Sequence, residues 1–387
     1  MKRMMKWALW AIAIVVLVGG AAAFWKREEI ARLMTVNSLF AEDRIVGNFS
    51  NMDSAFLTVE VPRGEGPVSN LPIGEALELP EDVGTWIKDR NMTSLVVLHD
   101  GMLVHESYYL GTGPDDRRMS WSTAKSYLST LLGTLVEDGT ISDLGVSVTE
   151  YAPELAGSVY DGVFIRDVLQ MSSGVTFNED YLDYDSDINR MGRAIALGGS
   201  LDDLTLALEG RDRPAGEAWQ YVSVDTHVIA MVIRGATGLE IPALLSERVI
   251  APLGLEETPY YVTDGVGQPF TLGGLNMRTR DFARFGQMMV QGGTYNGHQI
   301  VSADWIAEAT APSAPTAENK IGYGYQWWVP KGSEPGQFLA RGIYGQYIYI
   351  DQTRGVVVAA TGADRGFREE GVADESIRVL RLIAERF

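Results

Sequence analysis

Two β-rich hairpins stand at opposite ends of the main body of this chain, and a fold must join them. Residues 94–109 (SLVVLHDGMLVHESYY) form two runs of strand-favouring residues around Asp100-Gly101, a pair suited to a tight hairpin turn. Near the other end, QYIYI and VVVAA flank a polar turn at 351–355. The middle reads differently. Apolar residues recur at helical spacing over 122–138, 165–170, 224–237, 241–250 and 279–291. A last helix is expected over about 370–387, apolar at Ile377, Val379, Leu380, Leu382 and Ile383. Strands at both ends with helices between them point to an α/β (α+β) fold: an antiparallel β-sheet built from both termini and flanked by helices, plus an all-helical lobe.

The chain is long enough for such a body. Its 387 residues are 46% hydrophobic and 21% charged, a globular balance. With 51 Asp+Glu against 32 Lys+Arg the net charge is -19, which argues against nucleic acid as a partner, because phosphate backbones need clustered cations. There is no cysteine, so thiolate nucleophiles, Fe–S clusters, cysteine-ligated zinc and a cysteine-borne lipid anchor are excluded. Lys2, Arg3 and Lys6 precede an uncharged run from Trp7 to Trp25. As a helix this run spans roughly 28 Å, about one bilayer core. Basic residues before it keep that end cytoplasmic and send the rest out, to the periplasmic face of a bacterial inner membrane. The run is either an anchor or a signal peptide cleaved near Ala21-Ala22-Ala23. The expected division is 1–25 for this segment, 26–80 for a connector opening with a short amphipathic helix, and 81–387 for the main body. Within the body, 81–125 and 260–387 form the sheet-bearing lobe and 126–259 the helical one.

Chemistry concentrates at Ser122-Thr-Ala-Lys125. Leu128, Leu131, Leu132 and Leu135 follow at i, i+3, i+4 and i+7, so Ser122 opens a helix and Lys125 projects one turn later from the same face. A serine hydroxyl needs a base, and a desolvated lysine supplies one. The helix start also offers unpaired N–H groups to a developing oxyanion. Beyond Lys26 the only lysines are Lys88, Lys125, Lys320 and Lys331, and no other Ser-x-x-Lys occurs.

With these residues in place, the sequence resembles the serine β-lactamase and penicillin-binding-protein superfamily. More narrowly it is similar to the class C-type branch with esterases, D-aminopeptidases and 6-aminohexanoate-dimer (nylon-oligomer) hydrolases. The resemblance runs from about Asp82 to the C-terminus. It is carried in order by STAK, LVEDGTISDLGVSVTEYAPEL, IRDVLQMSSGVTF, RPAGEAWQYVSVDTHVIAMVIRGATG, GGLNMRTRDFARFGQMMVQGG, GYGYQWW and GIYGQYIYIDQTRGVVVAATG. It implies a β-lactamase/transpeptidase-like fold and a serine hydrolase without a cofactor or metal. It further implies that Tyr221, in Tyr221-Val222-Ser223, stands beside Ser122 and moves protons, as a phenolate or through Lys125, and that Ser223 contacts Lys125 or substrate.

The third motif departs from the family's K-T-G or H-x-G. Here Arg341-Gly342-Ile343 precedes Tyr344-Gly345-Gln346. By resemblance the Ile343 N–H joins that of Ser122 as the oxyanion hole, Gly342 permits close approach, and Tyr344 lies at the substrate. Arg341 either stands in for the missing cation or points away. The segment 178–187 falls on a pocket-lining loop of that branch, with Tyr181 as a substrate contact. Glu179, Asp180 and Asp183 there would favour a substrate with a free amine, and Trp327 and Trp328 would wall the cleft.

The histidines His99, His105, His227 and His298 show no metal-ligand spacing. His227 and Asp225 lie two apart on an expected helix and cannot face each other, and no G-x-S-x-G elbow exists for a Ser–His–Asp triad. The expectation is an exported serine hydrolase that cleaves a linear amide or small ester through an acyl-enzyme on Ser122. The alternatives are a penicillin-binding D-alanyl carboxypeptidase or β-lactamase, and a membrane-tethered binding module that has lost catalysis.

Overall fold

A computed structural model describes residues 2–387; Met1, the first residue of the expected 1–25 segment, lies outside the described residues. Both predicted hairpins form. The first is β1 (Met92–His99) with β2 (Met102–Tyr108), turning through Asp100 and Gly101, both at positive φ. Four further strands precede or make up the second: β3 (Gly322–Tyr323), β4 (Trp328–Val329), β5 (Gln337–Gly342) and β6 (Gln346–Asp351). The last strand is β7 (Val356–Gly362). They build one seven-stranded sheet, ordered β2-β1-β7-β6-β5-β4-β3. Every pairing is antiparallel, and the two chain ends meet where β1 pairs with β7, Val97 opposite Val358.

Helices cover both faces of the sheet. In chain order the helices that matter are α1 (Lys2–Trp25), α2 (Arg27–Ser38), α3 (Glu81–Asp89) and α4 (Ala124–Glu137). They continue with α5 (Asp187–Ala196), α6 (Ser223–Thr237), α7 (Thr279–Val290) and α8 (Val372–Ala384). Successive β1 side chains alternate between the two faces. Leu95 and Val97 pack with Trp86 of α3 and Leu380 of α8, whereas Val96 and Leu98 join the main core with Phe282 and Phe285 of α7. Gly286 lets α7 lie close, since a Cβ there would come within 2.5 Å of Val357.

Two features depart from the expected layout. Residues 26–80 are more than a wrapping. Leu39, Ile45, Phe49, Met52, Phe56 and Val61 are all buried in the main core. Thr58–Glu60 also opens a second, four-stranded antiparallel sheet with Tyr260–Val262, Leu275–Met277 and Arg118–Met119. Low periodicity hid this, because irregular backbone buries side chains without a repeat. The acidic stretch read as a loop likewise runs directly into α5, whose start is capped by Ser186 accepting from the Asn189 N–H.

The N-terminal helix α1 exposes Trp7, Trp10, Leu17 and Trp25. Among the described residues no single helix is long and apolar enough to cross a membrane; the apolar stretch of α1 there is Met5–Ala21. The expected span from Trp7 to Trp25 therefore gains no support from the described residues.

Candidate active site

The small sheet delivers the chain to the site. After Arg118–Met119 the backbone passes through a tight turn, Trp121–Thr123, and enters α4. Trp121 holds φ at +46°, a region bulky residues avoid, and Ser122 follows it directly. Ser122 is 9% exposed, and α4 carries Lys125 beneath it, 1% exposed.

Lys125 donates to the Leu272 carbonyl at 2.7 Å and to Ser223 Oγ at 3.3 Å. Burial pushes its pKa down to about 7, although Glu179 and Asp225 pull the other way. Tyr221 lines the same cavity as Ser122, and Lys125 Nζ lies 5.6 Å from the centre of its ring. Burial, helped by Glu179, raises the Tyr221 pKa above that of a free phenol. The neighbouring lysine therefore does not make Tyr221 a resting phenolate, because desolvation of a phenolate outweighs that attraction. Ser223 opens α6 and touches Lys125 as expected.

Gly342 ends β5 against this turn. A Cβ on it would meet the Ser120 carbonyl oxygen at 2.7 Å and the Ser122 nitrogen at 3.0 Å. Only a glycine permits that approach. The next N–H along, of Ile343, donates to no protein acceptor among the described residues. The close approach of Gly342 to the Ser122 nitrogen brings the Ile343 segment alongside the serine turn.

Two cavities open on Ser122. One is lined by Tyr221, Trp328, Arg341 and Gly342, the other by apolar residues together with Ser223 and Ile343; Tyr181 lines both. Arg341 faces the first cavity, its guanidinium 5.7 Å from the Trp328 ring centre. Trp328 stacks on Tyr221, with ring centres 5.3 Å apart. Trp327 does not wall the cleft; it is buried against Phe285. Tyr344 lines neither cavity and is packed against Phe40, Trp121 and Phe367 instead.

Glu179, Asp180 and Asp183 are each hydrogen-bonded within the protein. Glu179 accepts from Tyr181 Oη at 2.6 Å, from Ser223 Oγ and from the Ser223 N–H at 3.0 Å. Asp180 pairs with Arg368, and Asp183 accepts from Asn178. Of these three, Asp180 is paired with a cation, while Glu179 and Asp183 accept from neutral donors, which do not cancel their charge. His227 lies away from Ser122 and pairs with Asp202 at 2.7 Å, which Arg234 also holds. Asp225 instead accepts from Tyr160 Oη at 2.7 Å.

Three contributors escaped sequence reasoning. The Leu272 carbonyl leaves no sequence trace, being backbone. Glu179 stood among carboxylates of similar appearance. Gln346 was visible in the G-x-x-G-Q motif but its work was not: its amide donates to the carbonyls of Ile343, Tyr344 and Gly362 and accepts from the Gly362 N–H. It clamps the turn that carries Ile343.

A family model described as Beta-lactamase matches residues 87–380, most of the chain. The chain belongs to that family. A 6-aminohexanoate-dimer hydrolase of Paenarthrobacter ureafaciens is 34% identical over 300 residues, covering 73% of this chain and 75% of the relative. Among solved structures, one from Bacillus anthracis, provisionally named a 6-aminohexanoate-dimer hydrolase, superposes with a TM-score of 0.80. It is 23% identical and covers 90% of this chain and 95% of its own. A family VIII carboxylesterase superposes with a TM-score of 0.61 at 17% identity, over 80% of this chain and 99% of that one. At these identities the two structures speak for the fold. The family match and the 34% identical relative together make this beta-lactamase-family chain a serine hydrolase.

Proposed function

We propose that the protein cleaves a linear amide or small ester through an acyl-enzyme on Ser122. The observation that carries this reading is a lysine buried one helical turn from the serine, with its pKa pushed down to about 7. Near neutral pH a large share of Lys125 is uncharged and can accept a proton. Ser122 Oγ attacks the substrate carbonyl and its proton passes to Lys125. The oxyanion is held by the N–H groups of Ser122 and Ile343. The C–N or C–O bond then breaks as Tyr221, protonated at rest, gives its proton to the leaving nitrogen or oxygen and regains one from Lys125. A water molecule attacks the ester on Ser122 with the same groups as base, and the acid leaves. A linear substrate is favoured over a β-lactam because Arg341-Gly342-Ile343 stands where the family has K-T-G or H-x-G, and by likeness to a hydrolase of a linear dimer.

A fluorophosphonate probe should modify the wild type at Ser122 and leave Ser122→Ala unlabelled. Wild type that stays unlabelled would overturn the reading and favour a binding module without catalysis. A fluorescent penicillin that stays bound to Ser122 would favour the penicillin-binding alternative.

Export and attachment to the periplasmic face of an inner membrane through α1 are part of the same proposal. Support comes from the basic residues before the uncharged run. Extraction of a full-length membrane fraction with alkaline carbonate tests it: an anchored chain stays in the pellet.

A further inference from the structure

Ser122 stands between cavities of opposite character. The outer one, of about 280 Å³, includes Tyr221, Arg341, Arg368 and Glu369 in its wall. The inner one, of about 90 Å³, runs past Ser223 and Tyr181 between side chains such as Phe40, Met52, Phe56 and Phe270. Among the described residues no charged side chain lines it.

The proton donor decides which half of a substrate enters which cavity. Tyr221 lines the outer cavity and not the inner. A leaving group must lie within hydrogen-bonding reach of the group that protonates it. The leaving amine or alcohol is therefore placed outside, and the acyl group inside. A charged acyl chain would be stripped of water there with no counter-charge, which is strongly unfavourable.

The walls are shaped for such a group. Gly192 lies inside α5, where glycine weakens a helix, yet a Cβ built on it meets nothing within 4 Å. No neighbour needs that glycine, and Gly192 lines the inner cavity. Val36 of α2, Leu39 and Phe40 line the cavity as well, and Arg32 of α2 is tied to the last turn of α5 through the Ala196 carbonyl at 2.9 Å. The segment expected to be a mere connector is thus a wall of the site.

Resting on the acyl-enzyme reading, we infer that the acid half of the substrate is an unbranched, uncharged aliphatic chain, received in the inner cavity beneath residues 36–56. The test is hydrolysis by the full chain of p-nitrophenyl esters from acetate to dodecanoate. kcat/KM should rise about fourfold per methylene, equivalent to ~0.8 kcal/mol per buried CH₂, until the cavity is filled. A 6-aminohexanoyl ester should fall at least about 100-fold below hexanoate, since an unpaired ammonium would be buried. Gly192→Leu should fill the cavity and lower the octanoate-to-acetate ratio by roughly 30-fold, the loss of two to three such methylene steps. Val36→Phe, from a different lining segment, should move the same ratio the same way. A flat or falling series with Ser122 still labelled by fluorophosphonate would overturn this inference and leave the hydrolase standing. No labelling and no ester turnover would overturn both.

Discussion

Gly342→Ala tests the oxyanion site with little else disturbed. Gly342 does not occupy the left-handed region, so alanine meets no backbone penalty, and the effect comes from contact alone. Its new Cβ would lie 2.7 Å from the Ser120 carbonyl oxygen, whereas ordinary contact begins near 3.4 Å. The end of β5 must retreat by the difference, about 0.7 Å (3.4 minus 2.7). Ile343 is the next residue and moves with it. Oxyanion donors work over roughly 2.7–3.1 Å, so a shift of that size takes the Ile343 N–H out of range. Loss of one such donor lowers kcat by about 100- to 1,000-fold. KM should change little, because the donor acts on charge that develops only in the transition state. Overpacking should also cost ~1–3 kcal/mol of stability, visible as a lower melting temperature. Steady-state kinetics on a p-nitrophenyl ester, with melting curves for both proteins, give all three numbers. A variant that melts lower yet keeps kcat within about threefold of wild type would refute the placement of Ile343 in the oxyanion hole.

Three further outcomes are expected. Below a pH of about 7 Lys125 is protonated and cannot accept from Ser122, so kcat/KM for a neutral ester should fall about tenfold per pH unit there; a profile that stays flat to pH 5 would contradict the lysine as base. Gln346→Ala removes the amide that ties the carbonyls of Ile343, Tyr344 and Gly362 together, so it should lower the melting temperature and cut kcat by about 10- to 100-fold with KM little moved; an unchanged kcat would make Gln346 structural only. His227→Ala leaves Asp202 paired with Arg234, and should lower stability while keeping kcat within about threefold of wild type; a large fall in kcat would revive a histidine mechanism.

The parts legible in advance were those whose physics is local. Hairpins announce themselves through turn residues and alternating strands, so the joining of β1 to β7 followed from two short stretches. Ser122 and Lys125 were legible because i and i+3 share a helix face, and Tyr221 because its motif resembled one already known. What stayed hidden depends on groups far apart in sequence. The inner cavity takes its walls from Val36, Phe56, Gly192 and Phe270, on four segments with no motif among them. Likewise, nothing in the letters distinguishes Glu179, turned onto Ser223, from Asp180, which pairs with Arg368 at the surface.

Burial also settles how protons rest in the site, which residue types alone left open. A phenolate at Tyr221 would need a strong cation beside it. Lys125 lies 5.6 Å from its ring centre and Arg341 also favours the charged form, yet burial outweighs them, and the same apolar surroundings that raise the tyrosine depress the lysine. The two shifts reinforce one arrangement, with the proton on the phenol and the amine in large part free of one near neutral pH. Asp225, buried on α6 and also pushed up to about 7, is too reluctant a carboxylate to restore the full lysine charge. Glu179 also pulls the lysine pKa up, yet burial still leaves it near 7. The division of labour follows: Lys125 is equipped to take the proton from Ser122 and Tyr221 to give one to the leaving group. The opposite assignment would require each residue to start from the protonation state its environment disfavours.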